Sequence, residues 1–556
     1  MTLAVALAAP HPGAAGAART IDGNAFDAAL AAAAALTVAY PHQCSIGGDL
    51  VAIVRPAGRP PRAVLSIGAA AAATDVEALR AAASDGEARR AAATNVAARR
   101  AAATNVAARR AVGAHMPVAG PQTVTVPGVV AGWAAIAELG ATRPLHELLG
   151  PAIALAEKGV AVSPGLRRAA QAGLDVIRAD PGLTALLMDG DRLRDHLVQP
   201  ALARTLTSIA EDWRSFYDRS PLVEGLRKLG SALTGADFAA HRAEVVDPLS
   251  REVDGVVWSA APPPVQGATF LDLVGSGTLL ADAWRARAAR DAFLGDPRTR
   301  PIDLDGLLPH HSEGAEALSS RSGISELREE KASGKDGRGE RARGEDARGA
   351  NARSERARGE RASGEGAWGG RASGDTVAVS AVDSAGNAVT LIQSVFFSFG
   401  AGLLDPATGV VLHNRGSSFS LDPAHPGRIR GSSRPPHTLC PTIAVTRDGV
   451  IALGCQGGRS QPWILAQVAA DVVGARDLNQ LVGRPRWVIG AGEIGRTVPT
   501  LLLEPGLAAE AGDYAVESTS GPHDDAGHVQ VARLRGDVLD AGSDPRADGV
   551  AVVLRP

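Results

Sequence analysis

Hydrophobic and polar positions divide this chain into a helix-patterned first part and a strand-patterned last part. Asn24–Tyr40 (NAFDAALAAAAALTVAY) is almost wholly small and apolar and stops before Pro41, a helix pattern. Gly47-Gly48 followed by the apolar run Leu50–Val54 reads as a loop into a buried strand. Leu145–Gly159 and Gly165–Ala179 read as helices with apolar faces. In Thr234–His241 (TGADFAAH) an N-cap threonine stands three residues before Asp237, which marks a helix start. Val253–Trp258 reads as a strand, broken off by Pro262-Pro263-Pro264. Past residue 375 the pattern changes. Val377–Val382 and Ala388–Ser394 read as strands joined by the turn Ser384-Ala385-Gly386-Asn387, a hairpin that opens at Thr376. Further strands are predicted at Gly409–Leu412, Thr442–Val445 and Val450–Gly454, a helix at Pro462–Val473, and more strands near the C-terminus. The expected fold class is α+β, with antiparallel hairpins and helices that cover sheet faces.

Two stretches break this pattern. Ala71–Arg110 is a decapeptide repeat (AAATDVEALR, AAASDGEARR, AAATNVAARR, AAATNVAARR). Ala and Arg favour helix, and a ten-residue step slips against the roughly eleven residues of three turns. The repeat therefore reads as a duplicated, solvent-exposed helical insertion, with a surface for an anionic partner as the alternative. Residues 319–374 are rich in Arg, Glu, Gly, Ser and Asp and lack the apolar residues that offset ordering entropy. This charged arm is expected to be disordered and to separate two blocks, 1–375 and 376–556.

Composition narrows the function. The 556 residues are 45% hydrophobic but only 3% aromatic, so Ala, Val, Leu and Gly must fill the core. The 57 basic and 60 acidic residues leave a net charge of −3, which gives no basic field for nucleic acid. Three cysteines (Cys44, Cys440, Cys455) exclude a disulfide scaffold and a Cys-rich zinc module, and buried inert thiols are expected. No run reaches the roughly 18 apolar residues of a membrane span, so no membrane partner is expected. The apolar N-terminus lacks a basic leader region; a cytoplasmic location is expected, with secretion left open.

Most catalytic motifs are missing: there is no HExxH, Walker loop, EF-hand loop or GxSxG elbow. Gly490-Ala491-Gly492-Glu493-Ile494-Gly495 matches a dinucleotide fingerprint, but Pro499 forbids the helix that should follow, and a glycine-rich turn is the better reading. Asp375-Thr376 is more informative. A threonine opens a strand directly after the charged arm. A peptide-bonded threonine is a poor nucleophile, whereas one at a free N-terminus has its own α-amine as base. Strands often begin with threonine, so these two residues alone leave both readings open.

Several segments occur in a familiar collinear order: GNAFDAALAAAAALTVAYPHQCSIGGDL (Gly23–Leu50), TVTVPGVVAGWAAI (Thr123–Ile136), LLGPAIALAEKGVAVSP (Leu148–Pro164) and LTGADFAAHRAEVVDPLS (Leu233–Ser250). GDTVAVSAVDSAGNAVTLIQS (Gly374–Ser394), FGAGLLDPATGVVLHNRGSSFSLDP (Phe399–Pro423), RPPHTLCPTIAV (Arg434–Val445) and LGCQGGRSQPWILAQVAADVV (Leu453–Val473) continue it. Together they resemble the gamma-glutamyltranspeptidase family of N-terminal-nucleophile hydrolases over nearly the whole chain. The resemblance implies a four-layer αββα sandwich, with two stacked antiparallel sheets between helical layers. It implies a precursor cut between Asp375 and Thr376 into large and small subunits that form a heterodimer and together one interlocked domain. Thr376 then matches the nucleophile that attacks a small-molecule amide, Ser394 the hydroxyl that bonds its amine, and Gly457-Gly458 the backbone donors of the oxyanion. No metal and no organic cofactor are implied.

The glutamyl-recognition residues depart from the family. Where the family has an arginine for the α-carboxylate, Ser66–Ala73 offers Ala69; where it has an acid for the α-amine, Ser418 stands. A family asparagine becomes Phe396, and a serine pair becomes His437-Thr438. A zwitterion needs fixed opposite charges, so a substrate other than a standard gamma-glutamyl compound is expected. Arg415 is the candidate replacement carboxylate contact, with a surface arginine as the alternative, and His437 either lines the pocket or caps a loop. His42 is expected to be structural. The alternatives are a true gamma-glutamyltransferase or glutathione hydrolase, and an uncleaved pseudoenzyme or binding protein.

Overall fold

A helix that is apolar all round has no face to offer water and must be buried. Asn24–Tyr40 obeys that rule: it forms α1 (Ala25–Ala39), every residue of which is buried. A capping box fixes its start. The Asn24 side chain accepts from the Phe26 and Asp27 N–H groups, and Asp27 Oδ2 accepts from the Asn24 N–H at 2.8 Å. The computed structural model describes residues 3–83, 115–308, 375–509, 512 and 514–555.

Two antiparallel sheets stack on each other, and α1 packs on the outer face of the first. The first has seven strands: β1 (Val5–Ala9), β2 (Asp49–Arg55), β3 (Arg62–Ser66), β4 (Glu244–Val246), then, further along the chain, β7 (Asp375–Asp383), β8 (Ala388–Phe396) and β13 (Val550–Leu554). The second has six: β5 (Leu249–Val253), β6 (Val256–Ala260), β9 (Thr442–Thr446), β10 (Gly449–Gln456), β11 (His528–Arg535) and β12 (Val538–Ser543). Their orders are β13-β1-β7-β8-β2-β3-β4 and β12-β11-β10-β9-β6-β5. Both sheets mix strands from before residue 309 with strands from after residue 374.

Strand periodicity decides what each face buries. On β7, Val377, Val379 and Ala381 join α1 and the helices α2 (Val129–Gly140), α3 (Leu145–Lys158) and α4 (Pro200–Glu211) in one core. The alternate residues Ala378 and Val382 meet Val450 and Ala452 of β10 in a second core. Ile451, Leu453 and Cys455 of β10 point the other way, into a third core with α5 (Gly267–Leu273), α6 (Leu279–Phe293), α7 (Gln461–Val472) and α8 (Leu478–Gly483). The fold is α+β. All three cysteines are free and buried, and among the described residues no helix is long and apolar enough to cross a membrane.

The predicted elements are largely in place, with instructive differences. Val253–Trp258 is not one strand but the corner of a hairpin: Asp254 (φ 50°) and Gly255 (φ 75°) form the turn between β5 and β6. Asp-Gly is a strong signal for such a turn, and the apolar run around it hid it. The helix expected over Gly165–Ala179 is broken at Gly173 into Pro164–Ala172 and Leu174–Ala179. The strand expected at Gly409–Leu412 shrinks to Val410–Val411, paired with Leu404–Asp405. The Gly490–Gly495 fingerprint is a strand end and one 3-10 turn leading to the strand Thr500–Leu503.

The start of the repeat is not solvent-exposed throughout. Residues 76–83 are helical, and Val76, Leu79 and Ala83 pack on buried Ala70, Met116, Phe419, Leu421 and Ile429. The remainder of the repeat, from residue 84, and the charged arm 319–374 lie outside the described residues.

One polar network holds the C-terminal strands. Arg546 and Arg486 both pair with Asp544, and Arg546 also pairs with Glu504; all four side chains are at most 3% exposed. Burial alone would raise the Asp544 carboxyl, but the two guanidiniums outweigh it and hold it below the usual carboxylate range. Its stabilisation is therefore present above the unfolded carboxyl pKa and is lost as pH falls through the folded one. Removing one partner of such a pair costs about 3–5 kcal/mol. Asp544→Asn is expected to lower stability by that amount at neutral pH and by less in acid, as read by urea denaturation.

Candidate active site

The hydroxyl of Thr376 is placed by two adjacent strands. β7 and β8 pair with Thr376 opposite Ser394, and the register shifts between Asp375 and Thr376, so Asp375 stands opposite Phe396. Such a bulge frees one peptide from the ladder and re-aims its groups. β8 is pinned one residue earlier: the Gln393 side chain donates to the Ala33 carbonyl at 2.8 Å and accepts from Trp133 Nε1 at 3.1 Å. The loop before β2 lies so close that a Cβ on Gly48 would stand 2.3 Å from the Ser394 carbonyl oxygen. Only glycine fits there.

The result is a directed chain of hydrogen bonds. Thr376 Oγ1 donates to Ser394 Oγ at 3.0 Å, and Ser394 Oγ donates to the Asp375 carbonyl oxygen at 2.7 Å. The Phe396 N–H fills the second acceptor position of Ser394 Oγ at 2.8 Å. Thr376 and Ser394 are each 1% exposed. A serine hydroxyl has one proton and two lone pairs, and all three are committed, so its orientation is fixed. Thr376 Oγ1 thus lies beside the carbonyl that precedes its own nitrogen, with a donor already on that carbonyl's oxygen.

The Asp375 side chain points into a cavity of about 430 Å³ whose walls include His42, Gln43, Asn414, Gln456 and His528. Gln43 Nε2 donates to Asp375 Oδ1 at 3.4 Å. Burial pushes the Asp375 carboxyl up to about 7. A carboxyl raised in this way stabilises the fold below its unfolded pKa and loses that contribution as pH rises through the folded value. An uncut Thr376→Ala chain is expected to lose stability between pH about 4 and about 7, and adding Asp375→Asn is expected to flatten that slope in thermal melts. His42 packs edge-on against Tyr40, ring centres 4.3 Å apart, and burial lowers it to about 3.

Gly457 and Gly458 follow β10 directly. Their φ values are 150° and 53°, and a Cβ on Gly457 would stand 2.7 Å from Ile464 Cδ1. The Gly458 carbonyl accepts from Gln266 Nε2 at 3.0 Å. The pair thus adjoins Gln456, which lines the same cavity as Asp375.

Four of the remaining candidates converge. The Arg415 guanidinium lies 3.8 Å from the centre of the Phe396 ring, and its Nη1 donates to Thr438 Oγ1 at 3.2 Å. Phe396 holds this position with a backbone φ of 80°. Burial lowers Arg415 to about 9, opposed by nearby Asp49. His437 sits behind: its Nε2 donates to Asp49 Oδ2 at 3.2 Å, and burial keeps it well below the usual histidine pKa, hence neutral. Ser418 is spent on backbone, donating to the Arg415 and Pro436 carbonyls at 2.8 and 2.9 Å. It ties down the turn Arg415–Ser418 rather than facing a ligand.

Asp49 escaped the sequence reading. It stands on β2 directly opposite Ser394, fully buried, with Oδ1 accepting from the Gly68 N–H at 3.0 Å. Burial raises its carboxyl to about 7, while the Gly68 bond and Arg415 pull it down. His413 lies 3.6 Å from the same carboxylate. The available signal was one acid between a glycine pair and an apolar strand (GGDLVAIV), where a charge has no reason to be unless it is used.

Comparison with known proteins gives the family. The gamma-glutamyltranspeptidase family model matches residues 18–554. An oxamate amidohydrolase proenzyme of Klebsiella pneumoniae is 32% identical, over 95% of this chain and 94% of that protein. A glutathione hydrolase-like proenzyme of Bacillus subtilis is 27% identical over the same shares. Among solved structures, cephalosporin acylase from Bacillus halodurans has the same fold, with a TM-score of 0.74 over 99% of this chain and 96% of that one at 24% identity. The chain is therefore an amidohydrolase or acyltransferase of the N-terminal-nucleophile type. It belongs to the gamma-glutamyltranspeptidase family.

Proposed function

We propose that the chain cuts itself between Asp375 and Thr376 and that the freed Thr376 then hydrolyses a small non-glutamyl amide. The observation that carries this reading is the Thr376–Ser394–Asp375 hydrogen-bond chain. In the first step Thr376 Oγ1 bonds to the Asp375 carbonyl carbon, the bond to the Thr376 nitrogen breaks, and that nitrogen takes the proton. Ser394 polarises the carbonyl as charge develops on its oxygen. Water then hydrolyses the ester, which leaves a carboxylate on Asp375 and a free amine on Thr376. In turnover that amine accepts the Oγ1 proton, Oγ1 attacks the substrate carbonyl, the leaving amine departs protonated, and water or an acceptor amine resolves the acyl-enzyme. The N–H groups of Gly457 and Gly458 serve the oxyanion; one such donor is worth about 3–4 kcal/mol of barrier.

The two resulting chains, 1–375 and 376–556, remain one interlocked heterodimer. The order helices, seven-stranded sheet, six-stranded sheet, helices supports the four-layer αββα sandwich. A substrate outside the standard gamma-glutamyl compounds is supported by Ala69 and Ser418, which provide neither the cation nor the anion an α-amino acid needs. The relative named for oxamate points the same way. Intact mass over time tests the reading. Purified protein is expected to resolve into 1–375 and 376–556 and to turn over gamma-glutamyl-p-nitroanilide poorly. A chain that stays whole sinks the self-cutting reading, and brisk glutamyl turnover sinks the substrate reading.

A further inference from the structure

Arg415 is a buried cation short of partners. It is 1% exposed; among the described residues Nη1 has a single neutral acceptor in Thr438, while Nε and Nη2 have no hydrogen-bond partner. Among the described residues no carboxylate lies within ion-pair distance of it. Asp49 is near enough to be felt, but its oxygens serve Gly68 and His437. Buried guanidiniums are normally paired, because their five donors have lost water and need acceptors. Here a rigid fork is left with two donor nitrogens open and one face stacked on Phe396. An open fork of that kind matches a planar anion with two oxygens.

Its position relative to the chemistry is also set. Phe396, on which the guanidinium rests, is the Cα partner of Asp375, whose carbonyl is the one attacked in the proposed cut. The Phe396 N–H also holds Ser394 Oγ. The guanidinium therefore rests on the residue that pairs with Asp375, which suits a short acyl group between fork and nucleophile.

We infer that Arg415 selects a carboxylate on the acyl half of the substrate, so that the substrate class is monoamides of short dicarboxylic acids. This inference rests on the threonine-amidohydrolase reading above. It assigns the carboxylate contact to a residue other than the family's glutamyl-binding arginine, whose place Ala69 takes. Phe396 and Thr438 act as positioning residues that hold the fork flat and aim it.

The test uses the mature two-chain enzyme and a series of dicarboxylic acid monoamides of two to five carbons, each beside its methyl ester, with ammonia release as readout. At the best chain length the carboxylate form is expected to exceed its ester by about 10²-fold or more in kcat/KM, because a site built to bind a charged group discriminates strongly against its absence. In Arg415→Met that ratio is expected to collapse toward unity, and in Arg415→Lys to fall part-way. The matching dicarboxylates are expected to inhibit the wild type by raising KM alone, a readout that does not depend on any variant folding. Equal turnover of charged and neutral amides by a cut wild-type enzyme, or an unchanged ratio in Arg415→Met, overturns the assignment and leaves the nucleophile reading standing. A chain that never cuts and releases no ammonia overturns both.

Discussion

Thr376→Ala is expected to remain a single 556-residue chain indefinitely, and its amidase activity is expected to fall by about 10³–10⁶-fold. Both effects have one cause. The Thr376 hydroxyl heads the hydrogen-bond chain, with its proton held by Ser394 at 3.0 Å, and Ser394 in turn donates to the Asp375 carbonyl that the proposed cut attacks. Alanine keeps β7 in register, because the residue's backbone and its 1% exposure are unchanged, so the fold is expected to survive. Thr376→Ser keeps the oxygen and loses a methyl group, and it is expected to cut more slowly but completely. Mass spectrometry of the purified proteins separates these outcomes. Cutting that persists in Thr376→Ala would place the nucleophile elsewhere.

Ser394→Ala carries the second largest effect. It removes the donor on the scissile carbonyl and strands the Phe396 N–H at 2.8 Å from an oxygen no longer there. Loss of one preorganised donor to a developing oxyanion costs about 10²–10³ in rate. Self-cutting should slow by that factor and not vanish, since Thr376 keeps its hydroxyl. The orphaned N–H adds about 1–3 kcal/mol of instability. A time course of fragment appearance in Ser394→Ala, beside its urea denaturation, checks both. A cutting rate equal to wild type would remove Ser394 from the reaction.

Much of this was legible in the sequence, and the limits have physical causes. α1 announced itself because fifteen consecutive buried residues leave no ambiguity of period. The hairpin beginning at Thr376 was readable from its turn residues and flanking strands. Asp254-Gly255 is hidden because Val253 and the apolar start of the next strand, Val256–Trp258, read as one run across the two-residue turn. The site divides in the same way. Thr376 and Ser394 are strand neighbours in one hairpin, so their spacing encodes their meeting. Asp49 meets Ser394 through a pairing that spans most of the chain, which local pattern does not encode. Ser418 was picked out by its position in the family pattern. Its bonds to two backbone carbonyls come from a turn whose geometry the sequence states only weakly.

The interleaving of strands gives the proposed cut a direction in time. In the seven-stranded sheet β1, from the first segment, lies between β13 and β7, from the second. Neither segment completes a sheet alone, so the architecture assembles most readily while the chain is still continuous. The intact chain closes those long-range contacts within one molecule. After the bond between residues 375 and 376 is broken, the same contacts could be remade only by collision of two molecules, at a rate that depends on concentration. The mature form would then owe its persistence to slow unfolding rather than to ready reassembly, and the precursor would serve as a template used once.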